Sequence, residues 1–319
     1  MMILNFHGVR GSHPVSDEEM SRYGGCTLCV EIVKTNKEGI KVPVIIDAGT
    51  GLIKYGYGLV DKVNAGEYSK TFPLFFTHVH PDHIEGFNFF QPIFFGCYTL
   101  FLLGMEFPQW DVEAILRNRM GSPVFPTEYR DLKSRRLYRT LVDGDIVYIG
   151  QNGGPCDKAD DALFEIRVMQ AYVPSHPQQG VLYYRVIDPE DGSSIACIWD
   201  IESHPGGDIR VINFSRRADV MIHDTQYTEE EYVNDKFPVQ GFGHSTYAMA
   251  VENAKKAGVK NLISFHYNPR HSDHFLDKIK RRHTRHPFGF YMSYEGLSLT
   301  LDKGVLTKNT NLKLGFSKN

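Results

Sequence analysis

The run Phe75-Phe76-Thr77-His78-Val79-His80-Pro81-Asp82-His83 sets four metal-capable side chains close together at the end of an apolar segment. If that segment is a strand, His78 and His80 lie two apart and aim their imidazoles at one point. Pro81 ends strand pairing, and Asp82 and His83 then fall in the turn before Ile84, within reach of a second ion. Imidazole and carboxylate donors suit zinc, with manganese or iron as alternatives. A purely structural cluster is the weaker reading, because so many polar rings packed without a metal would leave many hydrogen-bonding groups to satisfy.

Other residues stand where they could assist. His244 in GFGHST precedes Ser245, expected as the N-cap of a helix beginning at Thr246, so its imidazole is expected beside free backbone N–H groups in a corner that favours anions. Asp47, with Gly49 and Gly51 in DAGTGL, closes another apolar run; the glycine spacing fits neither GxGxxG nor a phosphate loop, and the segment reads as a tight turn under the metal site. His223 and Asp224 end the run DVMIH and are candidates for orienting ligand imidazoles, with plain packing an equal alternative.

These groups need elements to position them. Apolar runs at 3–6, 29–33, 42–46 and 74–76 predict an opening β-meander, and 52–63 predicts a helix. From about 88 to 162 the pattern loosens into a strand YTLFLL, a helix DVEAILRNRM and a Gly-, Asn- and Asp-rich loop at 150–161, read as an elaboration over one side of the core. Strands return in FEIRVMQAYV, VLYYRVI, SIACIW and DVMIH; a helix at 246–257, with Lys255 and Lys256 in its last turn and Gly258 after it, leads into the strand NLISF, and another helix follows at 273–280. Two facing sheets with helices outside, in one domain over 1–319, is the expected architecture.

Composition bounds the function. With 42% hydrophobic and 13% aromatic residues there is material for a large core, and a net charge of −3 argues against a generally basic nucleic-acid grip. The greasiest stretch, 87–103, is broken by Asn88, Gln91, Pro92 and Gly96, so no membrane span is expected. The start lacks a signal-peptide pattern, and a cytoplasmic protein is expected. Cys26, Cys29, Cys97, Cys156 and Cys197 are odd in number and scattered, which does not suit a disulfide framework. Cys26 and Cys29 form a lone CxxC, read as two ordinary thiols. The basic stretches 130–139 and 278–285 are read as solvated surface.

HVHPDH resembles the HxHxDH signature of the metallo-β-lactamase superfamily. The similarity continues in order with His176 in YVPSHP, Asp200 in IACIWD and His266 in NLISFH, each at a predicted strand exit. NFHGVRGSHP, RYGGCTLCVEI and IIDAGTGL resemble the opening of a phosphodiesterase-like branch that includes phosphoribosyl cyclic phosphate phosphodiesterases and, more distantly, tRNA 3′-processing endonucleases. DVMIHDTQYTEEEY and GHSTYAMAVENAKKAGVKNLISFHYNP extend it over most of the chain.

The resemblance implies an α/β (α+β) fold, a four-layer αββα sandwich. It implies two divalent ions, one held by His78, His80 and His176, the other by Asp82, His83 and His266, with Asp200 bridging. Ions about 3.5–4 Å apart can pin a hydroxide between them, the expected nucleophile. Asp82 and His244 are then the catalytic residues, with His244 and Ser245 meeting the substrate. That substrate is expected to be a small phosphodiester, such as a cyclic nucleotide or cyclic phosphate, and a homodimer is compatible with the sequence. Alternatives are tRNA 3′-end cleavage, which needs a docking arm for which no Gly/Pro-rich excursion stands out, ester, lactone or lactam hydrolysis, which leaves His244 without a duty, and a non-catalytic metal-containing sensor. The chain departs from the pattern at His7, where tryptophan is usual, at Cys26, where asparagine is usual, and over 177–185, where a glycine pair and a Gly-Tyr-Arg run are missing; His204 is an extra histidine. These departures bear on the substrate, not on the ligand set.

Overall fold

A computed structural model describes residues 1–157, 159–177, 180–283 and 285–309. The chain opens with strands β1 (Met2–Gly8), β2 (Cys29–Thr35) and β3 (Lys41–Ile46), helix α1 (Gly51–Asn64) and strand β4 (Thr71–Phe75). A one-turn helix α2 (Pro81–Ile84) precedes β5 (Thr99–Gly104), α3 (Val112–Asn118), β6 (Arg135–Thr140), β7 (Ile146–Gly150) and β8 (Pro155–Cys156). Then come β9 (Ala162–Ala171), β10 (Val181–Ile187), β11 (Ser194–Ile198), α4 (Ile209–Phe214), β12 (Val220–Asp224) and α5 (Glu229–Tyr232). Helix α6 (Tyr247–Ala257), β13 (Asn261–Phe265), α7 (Asp273–Arg282), β14 (Gly289–Met292), β15 (Ser298–Asp302) and β16 (Val305–Lys308) complete it.

Two eight-stranded mixed sheets result, ordered β16-β15-β1-β2-β3-β4-β5-β6 and β14-β13-β12-β11-β10-β9-β7-β8. Alternation along each strand makes both sheets two-sided. Leu4, Phe6, Ile32 and Ile46 from the first sheet meet Ile166, Leu182, Cys197, Ile222 and Phe265 from the second in a shared core. Their neighbours face outward. Cys29, Ile45, Leu74 and Leu100 pack on Leu52, Tyr55 and Leu59 of α1, while Tyr183, Ala196, Met221 and Leu262 pack on α4 and α6. The four layers expected from the sequence are present. No helix among the described residues is long and apolar enough to cross a membrane.

The segment 88–162 is more than a cover. It supplies β5 and β6, which extend the first sheet, and β7 and β8, which edge the second. The physical reason is that β4 ends the meander with an open edge, and the parallel ladder from β4 through β5 to β6 satisfies it. In the basic stretch 130–139, Arg130, Lys133, Arg135 and Arg139 are exposed, as expected, although 135–139 lies in β6; Arg136 turns to the helix side, its guanidinium 4.9 Å from the centre of the Tyr129 ring. Of the other basic stretch, Thr284 lies outside the described residues, as do Gln178 and Gln179 in the departure at 177–185. Cys29 is buried on the outer face of β2, and burial, with Glu295 next, pushes the Cys26 thiol up to about 11. Neither behaves as a poised redox thiol.

Candidate metal centre

Strands β9, β11, β12 and β13 run in one direction in the second sheet, since β9 and β11 both flank β10 antiparallel and the rest pair parallel. Their C-terminal exits therefore share one sheet edge, and they release His176, Asp200, Asp224 and His266 there. From the first sheet β4 contributes His78 and His80, and α2 contributes Asp82 and His83. The turn expected after Pro81 is this helix, with Pro81 at its first position, where its missing N–H costs nothing.

All seven residues of the expected ligand set converge. Donor atoms of His78, His80 and His176 lie within 4.8 Å of one another, as do those of Asp82, His83 and His266, and those of His78, His83 and Asp200. Asp200 is central: its carboxylate is 3.2 Å from Nε2 of His83, His176 and His266 and 3.8 Å from that of His78. Nε2 of His78, His83 and His266 and Oδ2 of Asp200 are buried and have no hydrogen-bond partner. Buried lone pairs left unmatched in this way are what divalent cations satisfy, so the donor set fits divalent metal.

A surrounding layer fixes the rings. His83 Nδ1 faces Asp47 Oδ2 at 2.7 Å, and the same carboxylate accepts from Trp199 Nε1 at 2.8 Å and from the Thr77 N–H at 2.8 Å. His176 Nδ1 faces the Pro174 carbonyl at 3.0 Å. With the proton on Nδ1, each ring presents its Nε2 lone pair inward. Asp82 Oδ2 accepts from the Ser12 N–H at 2.7 Å. Asp47, Asp200 and His266 all hold left-handed backbone, with φ of 61°, 57° and 61°. Non-glycine residues tolerate this only where packing over-determines them, and here it turns three functional side chains toward the centre.

The electrostatics match. Burial, then His83, holds His78 well below the usual histidine range, and burial, then His176, lowers His80 to about 4, so both are neutral donors. Burial alone would raise Asp200, yet His266, His83 and His78 outweigh it and keep the carboxylate ionised. For His266, burial opposes protonation but Asp200 and Asp224 prevail and raise it to about 10. Such a proton is one a divalent ion would displace.

His244 lies against this centre. Its Nδ1 faces Asp224 Oδ2 at 2.9 Å, and its ring stacks on that of His266 with centroids 4.7 Å apart. Asp224 also accepts from the Asp200 N–H at 3.1 Å, linking two strand exits.

Two expectations, on Ser245 and His223, are corrected. The cap of α6 is Thr246, whose side chain accepts from the Met249 N–H; Ser245 donates to the Ile201 carbonyl at 2.6 Å and accepts from the Ser203 N–H, so its hydroxyl is spent inside the fold. His223 alternates to the other face of β12, where Nε2 meets Asn253 at 2.9 Å, and it orients no ligand. His204 is exposed and joins no metal-capable group among the described residues. Reading the sequence missed Ser12, Thr77 and Trp199; only Trp199, beside Asp200 at a strand exit, carried a local signal.

At the first departure His7 faces Glu31 Oε2 at 3.1 Å, while the chain following it is tied by buried Arg10 to the carbonyls of Gly24 and His271. That arginine joins the first loop to the one after His266.

No family model matches the chain. A ribonuclease Z from Brevibacillus brevis is 31% identical over 37% of this chain and 40% of its own length, so the chain spans well under half of that relative. A ribonuclease Z from Exiguobacterium sibiricum is 25% identical over 64% of this chain and 73% of its own. Among solved structures, the metallo-β-lactamase fold protein YhfI from Bacillus subtilis superposes with a TM-score of 0.62 at 16% identity, covering 93% of this chain and 98% of that one. A diphosphatase from the PhnP family gives 0.61 at 16% identity, over 95% and 98%. The short form of human tRNase Z gives 0.57 at 15%, over 93% and 98%.

Proposed function

This chain has the metallo-β-lactamase fold, and from that premise we propose that it is a metal-dependent hydrolase of phosphodiester bonds. The observation that carries the reading is His244, held by Asp224 at 2.9 Å with a ring nitrogen within 4.8 Å of donors on His176 and Asp200. Because Nδ1 is engaged, Nε2 is the atom left to meet a substrate. A phosphodiester carries an anionic oxygen through the reaction and must release an alkoxide, and an imidazole N–H beside the centre can meet the first and protonate the second.

Two divalent ions, zinc or alternatively manganese or iron, would supply Lewis acidity and acidify water when held by these seven residues. The chain does the rest. Asp82 is oriented by the Ser12 N–H through Oδ2, which leaves Oδ1 to accept a proton from incoming water. His244 contacts the phosphate through Nε2; to protonate the leaving oxygen from that atom the ring must carry both protons, a form that the Asp224 carboxylate, accepting from Nδ1, stabilises.

Two substrate readings share this site. A small cyclic nucleotide or cyclic phosphate suits the net charge of −3. RNA 3′-end cleavage is supported by the ribonuclease Z relatives. Metal-loaded protein assayed on bis-p-nitrophenyl phosphate, a cyclic nucleotide panel, a tRNA precursor with a 3′ trailer and a chromogenic lactam separates them. Turnover of at least one phosphodiester is expected; cleavage of the lactam alone would overturn the proposal, and inertness toward all four would favour a binding role.

A further inference from the structure

A cleft of about 340 Å³ opens beside His244, between the loop after β1, the segment 226–242 and the turn following His266. Ser12, whose N–H holds Asp82, forms part of its wall, as does Tyr227, whose ring centre is 6.0 Å from that of His244. Through these two residues the cleft adjoins the metal centre.

Its lining carries two kinds of chemistry. One is apolar: Phe237 and Phe242 meet edge to face at 6.1 Å and remain 65% and 43% exposed. Large aromatic side chains left this open at the mouth of a site are unfavourable in water unless something covers them. The other is hydrogen-bond donation. Asn234 and Asn268 spend their Oδ1 atoms on the backbone N–H groups of Lys236, Phe237 and Arg270, and their amide N–H₂ groups meet no acceptor among the described residues. The Arg270 guanidinium has no acceptor among the described residues. Glu231, the carboxylate of this wall, is committed to the Thr228 N–H and to His271. Open rings and unspent donors lining one cleft, with its Glu231 carboxylate committed elsewhere, suit a ligand with a flat π-face and anionic oxygens.

We propose that this cleft is a nucleotide pocket: a nucleobase of the substrate stacks on Phe237 and Phe242, while Arg270 holds a phosphate flanking the scissile one. The proposal rests on the phosphodiester reading for the identity of the scissile group, but its binding chemistry stands apart from turnover.

Adenosine 3′,5′-bisphosphate, which carries a base and two phosphates, is titrated calorimetrically into the zinc-loaded protein. Binding is expected to weaken at least about ten-fold in Phe237→Ala/Phe242→Ala, the loss typical of removing base stacking, and to be retained in Phe237→Trp. Arg270→Gln should weaken the bisphosphate about ten-fold and adenosine 5′-monophosphate little, since only the former has a second phosphate to lose. No binding by the unaltered protein, or equal binding by all variants, overturns the pocket. Bis-p-nitrophenyl phosphate turnover is followed in parallel. Bisphosphate binding lost on these substitutions, in a protein without turnover, would keep the pocket and remove the catalytic reading; turnover with variant-independent binding would do the reverse.

Discussion

At the scale of single residues, Asp200 and His244 have separable duties. Asp200 lies 3.2 Å from three imidazole nitrogens, so its carboxylate reaches into both halves of the expected donor set. Asp200→Ala removes that shared anion and leaves several buried imidazoles facing one another. Elemental analysis should find the bound metal reduced by at least one ion per chain; an unchanged content would contradict the bridging role. His244 leans on Asp224 and belongs to the donor set only at its margin. His244→Ala is expected to keep both metals yet lose about 10²–10⁴-fold in phosphodiester turnover, the usual worth of a positioned acid or base. Turnover within three-fold of the unaltered enzyme would remove the residue from the chemistry.

At the scale of elements, the centre depends on how closely loops from different strands approach. Gly243 has a φ of +86°, and a Cβ there would come within 2.3 Å of His176 Nδ1 and 2.4 Å of the Pro174 carbonyl. The two loops are also joined by the Ser175 hydroxyl donating to the Gly241 carbonyl at 2.5 Å. Gly243→Ala should push the His176 loop outward while sparing the sheets. Competition with a chromogenic chelator should show affinity for the more weakly held ion falling about 10–100-fold, the range seen when a ligand's support is disturbed. Affinity equal to the unaltered protein would show that the loop absorbs the methyl group without moving His176.

At the scale of the whole molecule, the buried cluster makes stability without metal depend on pH. His266 is raised to about 10 and His83 lies well above its ordinary value, in each case because nearby carboxylates outweigh burial. A group raised on folding contributes stability that is fully present below its unfolded pKa of about 6.5 and is lost as pH rises through the folded value. Chelator-treated protein should therefore melt at progressively lower temperature between pH 6.5 and 10. Metal-loaded protein should not share that trend, since cations replace the protons. Parallel thermal melts check this, and identical slopes for the two forms would refute it. Asp82 and Asp200, held well below the usual carboxylate range, act in the opposite window: their contribution is present above about pH 3.8 and lost as pH falls through their folded values.

The sequence by itself determined what is local. Apolar runs marked where the strands lie, and the spacing of His78 and His80 at a strand exit set a shared direction, because that follows from the two-residue period of a strand. Gly258, at φ 67°, ends α6 where the pattern placed the stop. Partners distant in the chain were not legible. Asp47 joins His83 and Trp199, Asp224 joins His244, and the Ser12 N–H meets Asp82 only once two sheets have packed and their loops share an edge. The strand role of 135–140 was hidden because an edge strand is partly solvated and its arginines read as surface. The left-handed turns at Asp47, Asp200 and His266 also had no glycine to announce them. Spacing sets the direction of a side chain along its own element, whereas tertiary packing alone decides which elements face each other and which strained turns they can hold.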